Sequence, residues 1–91
     1  MKTSELKDAA LDWAVGSTGE YGVGFFSTDW AQGGPIIERE NIGIGYDADM
    51  GWIGIESDGK YETGPTPLIA AMRCFVASKL GDEIDLPKDL T

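Results

Sequence analysis

The chain has no histidine, one cysteine, few basic residues and no apolar run long enough to cross a bilayer. Each shortage excludes something. Histidine is the commonest general base and imidazole metal ligand, so His-based triads and imidazole metal sites are out of reach. Cys74 alone can form neither an internal disulfide nor a cysteine zinc cluster. Seven Lys+Arg stand against 16 Asp+Glu, a formal charge of −9. Ordinary nucleic-acid binding and docking on anionic membranes both need clustered cations, and neither is expected here. Met1-Lys2-Thr3-Ser4-Glu5 leads into a stretch carrying Asp8 and Asp12, unlike a secretory leader.

What is present is short and acidic. The 91 residues suit one α+β domain spanning 1–91. A chain of this size buries only about 60–65% of its unfolded surface, which favours self-association, most simply a symmetric dimer. The negative balance has two readings. It keeps a small protein dispersed, or it serves a basic partner protein or mimics DNA. The acids are scattered, and only Asp82-Glu83-Ile84-Asp85 is locally dense.

Three kinds of element are legible. Leu6, Ala9, Ala10, Trp13 and Ala14 form an apolar stripe behind Thr3 or Ser4 as a cap, predicting a first helix with Trp13 in the core, ended at Gly16. The stretch 19–63 is glycine-rich and β-like, with Tyr21, Val23 and Phe25 alternating, then Ile42, Ile44 and Tyr46. Ser57-Asp58-Gly59 marks a hairpin between Trp52–Glu56 and Lys60–Thr63. The recurring strand glycines either admit a closely packed helix or floor a ligand groove. Thr66-Pro67 opens a last helix through Leu80, ended by Gly81 and apolar over much of its circumference. On that helix Cys74 reads as a buried hydrophobe, and Arg73 as a cation reaching solvent, a carboxylate or a phosphate. The predicted architecture is a small antiparallel glycine-rich sheet packed by an N-terminal and a C-terminal helix.

Residues 27–40 hold the densest set of site-like side chains. Thr28 and Asp29 suit turn capping, Gly33-Gly34 permits unusual backbone angles, and Pro35 is placed to open a short helix carrying Glu38 and Arg39. Trp30 or Tyr61 could stack on a flat group, and Arg39 and Arg73 could meet phosphates. Backbone donors near Gly33-Gly34 and Thr66 could cradle an anion. With Gln32, these residues make up the candidate ligand-binding set; turns and caps alone would also account for most of them. Gly16–Gly22 lacks the lysine of a P-loop, and Asp47/Asp49 lacks the glycine and glutamate of a calcium loop. No cofactor, metal or catalytic residue is expected.

The wording of two segments is more specific. Ser27-Thr28-Asp29-Trp30-Ala31-Gln32-Gly33-Gly34-Pro35-Ile36-Ile37-Glu38-Arg39-Glu40 and Gly64–Asp82 resemble blocks of the NinX-like phage proteins, a family of small proteins of uncharacterised function. Met1–Leu6 and Leu11–Val15 fit as well, whereas 41–63 matches less clearly. The resemblance implies a phage or prophage origin and a location in the host cytoplasm, with no established activity. Small phage proteins often counter host defence. The leading expectation is therefore a non-catalytic sponge for a nucleotide-derived immune signal, cyclic ADP-ribose-like or a cyclic dinucleotide, bound in a subunit-shared pocket. The alternative is an acidic protein-binding module that inhibits or redirects a host enzyme.

Overall fold

The computed structural model describes residues 1–90. A 3-10 turn, Thr3–Glu5, leads to helix α1 (Asp8–Ser17) and, after an irregular loop, helix α2 (Trp30–Arg39). Strands β1 (Gly43–Asp47), β2 (Gly51–Ile55) and β3 (Tyr61–Gly64) follow, then helix α3 (Pro67–Leu80) and a 3-10 turn at Lys88–Leu90. The sheet is antiparallel in the order β1-β2-β3. This is the expected α+β architecture, with helices at both the N- and C-terminal sides.

Local chemistry sets the turns. Between β2 and β3 the Asp58 carboxylate accepts from the Lys60 N–H at 3.0 Å, while Gly59 takes a φ of 92°. Between β1 and β2 Asp47 Oδ1 accepts from the N–H groups of Asp49 and Met50, so the carboxylate works as a turn cap. Helix α3 begins as expected, with Thr66 Oγ1 accepting from the Ile69 N–H at 3.1 Å and Pro67 in the first turn.

The glycines on the two sheet faces serve different ends. A Cβ on Gly54 would sit 2.8 Å from Ala70 O and 2.9 Å from Ala71 Cα, and one on Gly64 would sit 2.8 Å from Ala70 N. Helix α3 therefore lies on the sheet almost backbone to backbone, which answers the packing question for these two positions. Gly43 and Gly45 pair with Ile55 and Ile53, and lie with them on the opposite face. The core gathers on the α3 side, from Leu6, Leu11, Val15, Phe26, Ile36, Met72 and Phe75.

Three expectations fail. The apolar stripe from Leu6 to Ala14 does not run on one helix, because Thr3–Glu5 is a separate turn and α1 starts at Asp8. That break shifts the buried face to Leu11, Ala14 and Val15, leaving Trp13 37% exposed. Thr3 caps no helix; it is buried and its hydroxyl donates to Gly81 O at 2.6 Å. Residues 21–26 form no strand. Gly22 adopts a φ of 74°, which reverses the chain, and a Cβ on Gly16 would sit 2.6 Å from Gly22 O, so the loop folds down onto α1. Tyr21 and Phe26 turn inward as an edge-to-face pair, and Val23 and Phe25 turn out.

The two chain ends meet. Met1 and Ile84 exchange backbone hydrogen bonds, and Thr3 N–H donates to Asp82 O at 2.7 Å, so Lys2 and Glu83 form an antiparallel bridge.

Candidate functional site

Asp29 organises the densest segment. Its Oδ1 accepts from the Ala31 N–H and its Oδ2 from Gln32 Nε2, each at 2.9 Å. Gln32 Oε1 in turn accepts the Phe25 N–H at 2.9 Å. Helix α2 consequently begins at Trp30, and Pro35 lies inside it instead of opening it. The signal was in the sequence: Asp29 and Gln32 have the spacing of a capping box, which fixes a first turn before the proline is reached.

Gly33 is required by packing, since a Cβ there would collide with Phe26 O and Leu68 Cδ1. Its N–H donates to Asp29 O at 2.9 Å, so this donor closes the helix. Trp30 is 53% exposed, with Gly34 one turn on and beside its ring. The Thr28 N–H donates back to Phe25 O, and Glu38 lies exposed near the far end of the helix. Arg39 sits 3.8 Å from both Glu20 and Glu40 and covers the Tyr21 ring at 5.3 Å. The Tyr21 hydroxyl donates to Glu40, and burial foremost, then that carboxylate, pushes its pKa up.

Arg73 corrects another expectation. Its Nε donates to Leu6 O at 2.7 Å and its Nη1 to Thr63 O at 2.8 Å, joining the N-terminal segment, β3 and α3. The guanidinium meets backbone carbonyls, and burial pulls its pKa down against the opposing pull of Glu62. Thr66, likewise, is occupied in capping α3.

Two of the clefts on the surface bear on the candidate residues. One, of about 710 Å³, is lined among others by Glu56, Asp58, Tyr61, Glu62, Cys74 and Asp82. The Cys74 thiol sits 3.8 Å from Glu56 Oε1, and burial above all pushes it up to about 12, far from a nucleophile's range. Burial also raises Glu62, with Asp82 adding to the shift and Arg73 opposing it. The second cleft, about 480 Å³, is bounded by Ala9, Trp13, Gly16, Val23, Phe25 and Leu90. Of the candidate set, Tyr61 lines the first cleft and none lines the second; neither brings Trp30 and Arg73 together. This groove is not legible in the sequence, because the alternation of Tyr21, Val23 and Phe25 reads as a strand. Gly22 and Gly24 flanking Val23 were the available sign of a loop.

Among the described residues no helix is long and apolar enough to cross a membrane, and no group of three acidic or cysteine side chains could hold a metal ion. The fold and surface define a small acidic α+β protein that presents aromatic side chains from a loop and a capped helix. The chain belongs to the NinX family of bacteriophage P22, whose model matches residues 26–79. The match takes in α2, the sheet and nearly all of α3, and leaves out Trp13, Val23 and Phe25. No curated protein matches the chain at a significant level.

Proposed function

We propose that this phage-family protein is a non-catalytic binding protein that counters a host defence inside the host cell by stoichiometric capture. Its target is a basic protein that seats an apolar side chain in the Trp13–Val23–Phe25 groove. The observation that carries this reading is the exposure of Val23 (105%) and Phe25 (67%) on the rim of an apolar groove, in a chain of charge −9. Exposed aromatic side chains around an apolar pocket are the usual anchors of a protein interface. The acidic body supplies long-range attraction for a cationic partner and speeds encounter at low salt. The Trp13, Val23 and Phe25 side chains of the groove lie outside the span matched to the family. The test is capture of a single stoichiometric host protein by the full chain, weakened by salt and lost in Phe25→Ser.

A second reading is favoured by Trp30, whose exposed ring is available to stack on a base. In it the protein sequesters a nucleotide-derived immune signal. The Arg39 and Arg73 side chains and the two helix starts are engaged within the chain, so the phosphates would need donors from a second subunit. Titration calorimetry with a panel of cyclic dinucleotides and cyclic ADP-ribose tests it, and absence of heat with all of them removes it.

A further inference from the structure

Sheet edges expose backbone donors and acceptors, and folded proteins cover them or guard them with charge, proline or a bulge. The two edges here differ. β3 follows Lys60 and contains Glu62, Arg73 takes its Thr63 carbonyl, and the Thr3–Glu5 turn packs beside it. The only guard on β1 is the charge of Asp47 at its end. Gly43-Ile44-Gly45-Tyr46-Asp47 contains no lysine or proline and runs in unbroken register with β2. Among the described residues its backbone is hydrogen-bonded to β2 alone. Ile44 and Tyr46 are exposed beside it, Tyr46 at 65%.

We propose that β1 is a self-association edge, pairing antiparallel with β1 of a second copy about a twofold axis at Gly45. In that register Ile44 faces the partner's Tyr46, Gly45 faces the partner's Gly45, and Asp47 faces the partner's Gly43. An apolar side chain thus meets an aromatic one twice, and the strand's single carboxylate meets a glycine. The self-complementary register favours this occupant, and the local sparsity of charge permits it. Two copies each carrying −9 can approach only where charge is sparse, and four of the five residues of β1 are uncharged. A basic partner would be drawn instead to the carboxylates elsewhere on the surface. Pairing two three-stranded sheets in this way makes one continuous six-stranded sheet with both β1 edges closed. The inference does not depend on what the protein captures.

Sedimentation equilibrium of the full chain tests it, with far-UV circular dichroism confirming that each variant is folded. The expected result is a dimer whose dissociation constant rises about tenfold or more in Ile44→Lys and in Tyr46→Glu, each of which acts twice across the axis. The double variant Ile44→Lys/Tyr46→Glu places opposite charges across the axis and recovers most of the loss. A wild-type chain that stays monomeric at about millimolar concentration overturns the proposal. So does a dimer indifferent to both single variants, and a double variant weaker than either single one overturns the register. Because both side chains are exposed, a fold lost in one variant leaves the other to decide.

Discussion

The Gln32 amide donates to Asp29 Oδ2 at 2.9 Å, and the carbonyl of the same amide accepts the Phe25 N–H. One side chain thereby fastens the loop carrying Val23 and Phe25 to the first turn of α2. Asp12 fastens its other side, accepting the Ser27 N–H at 2.8 Å. The groove is held by hydrogen bonds from two helices, which suits a surface that must keep its shape while exposed.

Removing that clamp should be measurable. Gln32→Ala is expected to cost about 1 kcal/mol in urea unfolding, a typical net value for a lost hydrogen bond. Amide exchange at Phe25 should quicken in parallel. Gln32→Glu keeps an acceptor but sets a second carboxylate against Asp29, so its deficit should be larger at pH 7 than at pH 4. Equal deficits at both would contradict the arrangement.

Glycines on the two sheet faces should respond in opposite ways. Gly54→Ala forces a methyl into Ala70 and Ala71 and is expected to cost about 1–3 kcal/mol or more, the range for overpacking. Gly45→Ala meets open space in the single chain and should leave its folding within about 0.5 kcal/mol. Denaturant midpoints of the pair check the contrast; matching losses would refute it.

Arg73 is expected to be structural. Arg73→Met keeps the apolar stem and removes both carbonyl contacts, at an expected cost of about 2–4 kcal/mol from two charge-assisted bonds. Arg73→Lys should recover only part of it, since an ammonium lacks the fork that reaches Leu6 O and Thr63 O together. An unchanged midpoint in Arg73→Met would show that the bridge adds nothing to stability.

Glu62 supplies a pH dependence. Burial, reinforced by Asp82, holds its carboxyl above the usual glutamate range, with Arg73 pulling the other way. The folded chain therefore binds this proton more tightly than the unfolded chain does. The charged form opposes folding at neutral pH, and that penalty fades as the pH falls through the raised value. Glu62→Gln should raise the thermal midpoint at pH 7, with the gap over wild type closing below about pH 4. A gap that persists at low pH would point to packing instead of charge.

The sequence showed the last helix, the hairpin at Asp58-Gly59 and the α+β arrangement because each rests on local chemistry: a threonine cap, a proline at the start, a glycine turn. It misplaced Trp13 because a stripe of apolar residues carries no mark of where a helix is interrupted; Asp8, with a φ of 51°, is that interruption. The strand at 21–26 failed for a related reason, since alternation says nothing about the positive φ that Gly22 takes up. For the candidate set, sequence gives the residue type and leaves out what each side chain already holds. Arg73 looked available for a ligand, and only the fold brings the carbonyls of Leu6 and Thr63 to it.

The groove is the feature on which the proposed capture depends. The decisive measurement is capture from host lysate by the tagged full chain, with the bound protein quantified against the bait for wild type, Phe25→Ser and Tyr61→Ser. Phe25 and Tyr61 are both exposed, so both variants should fold within about 0.5 kcal/mol of wild type. One host protein at a one-to-one ratio is expected with wild type and with Tyr61→Ser, and its loss with Phe25→Ser. Equal capture by Phe25→Ser and wild type would contradict this expectation.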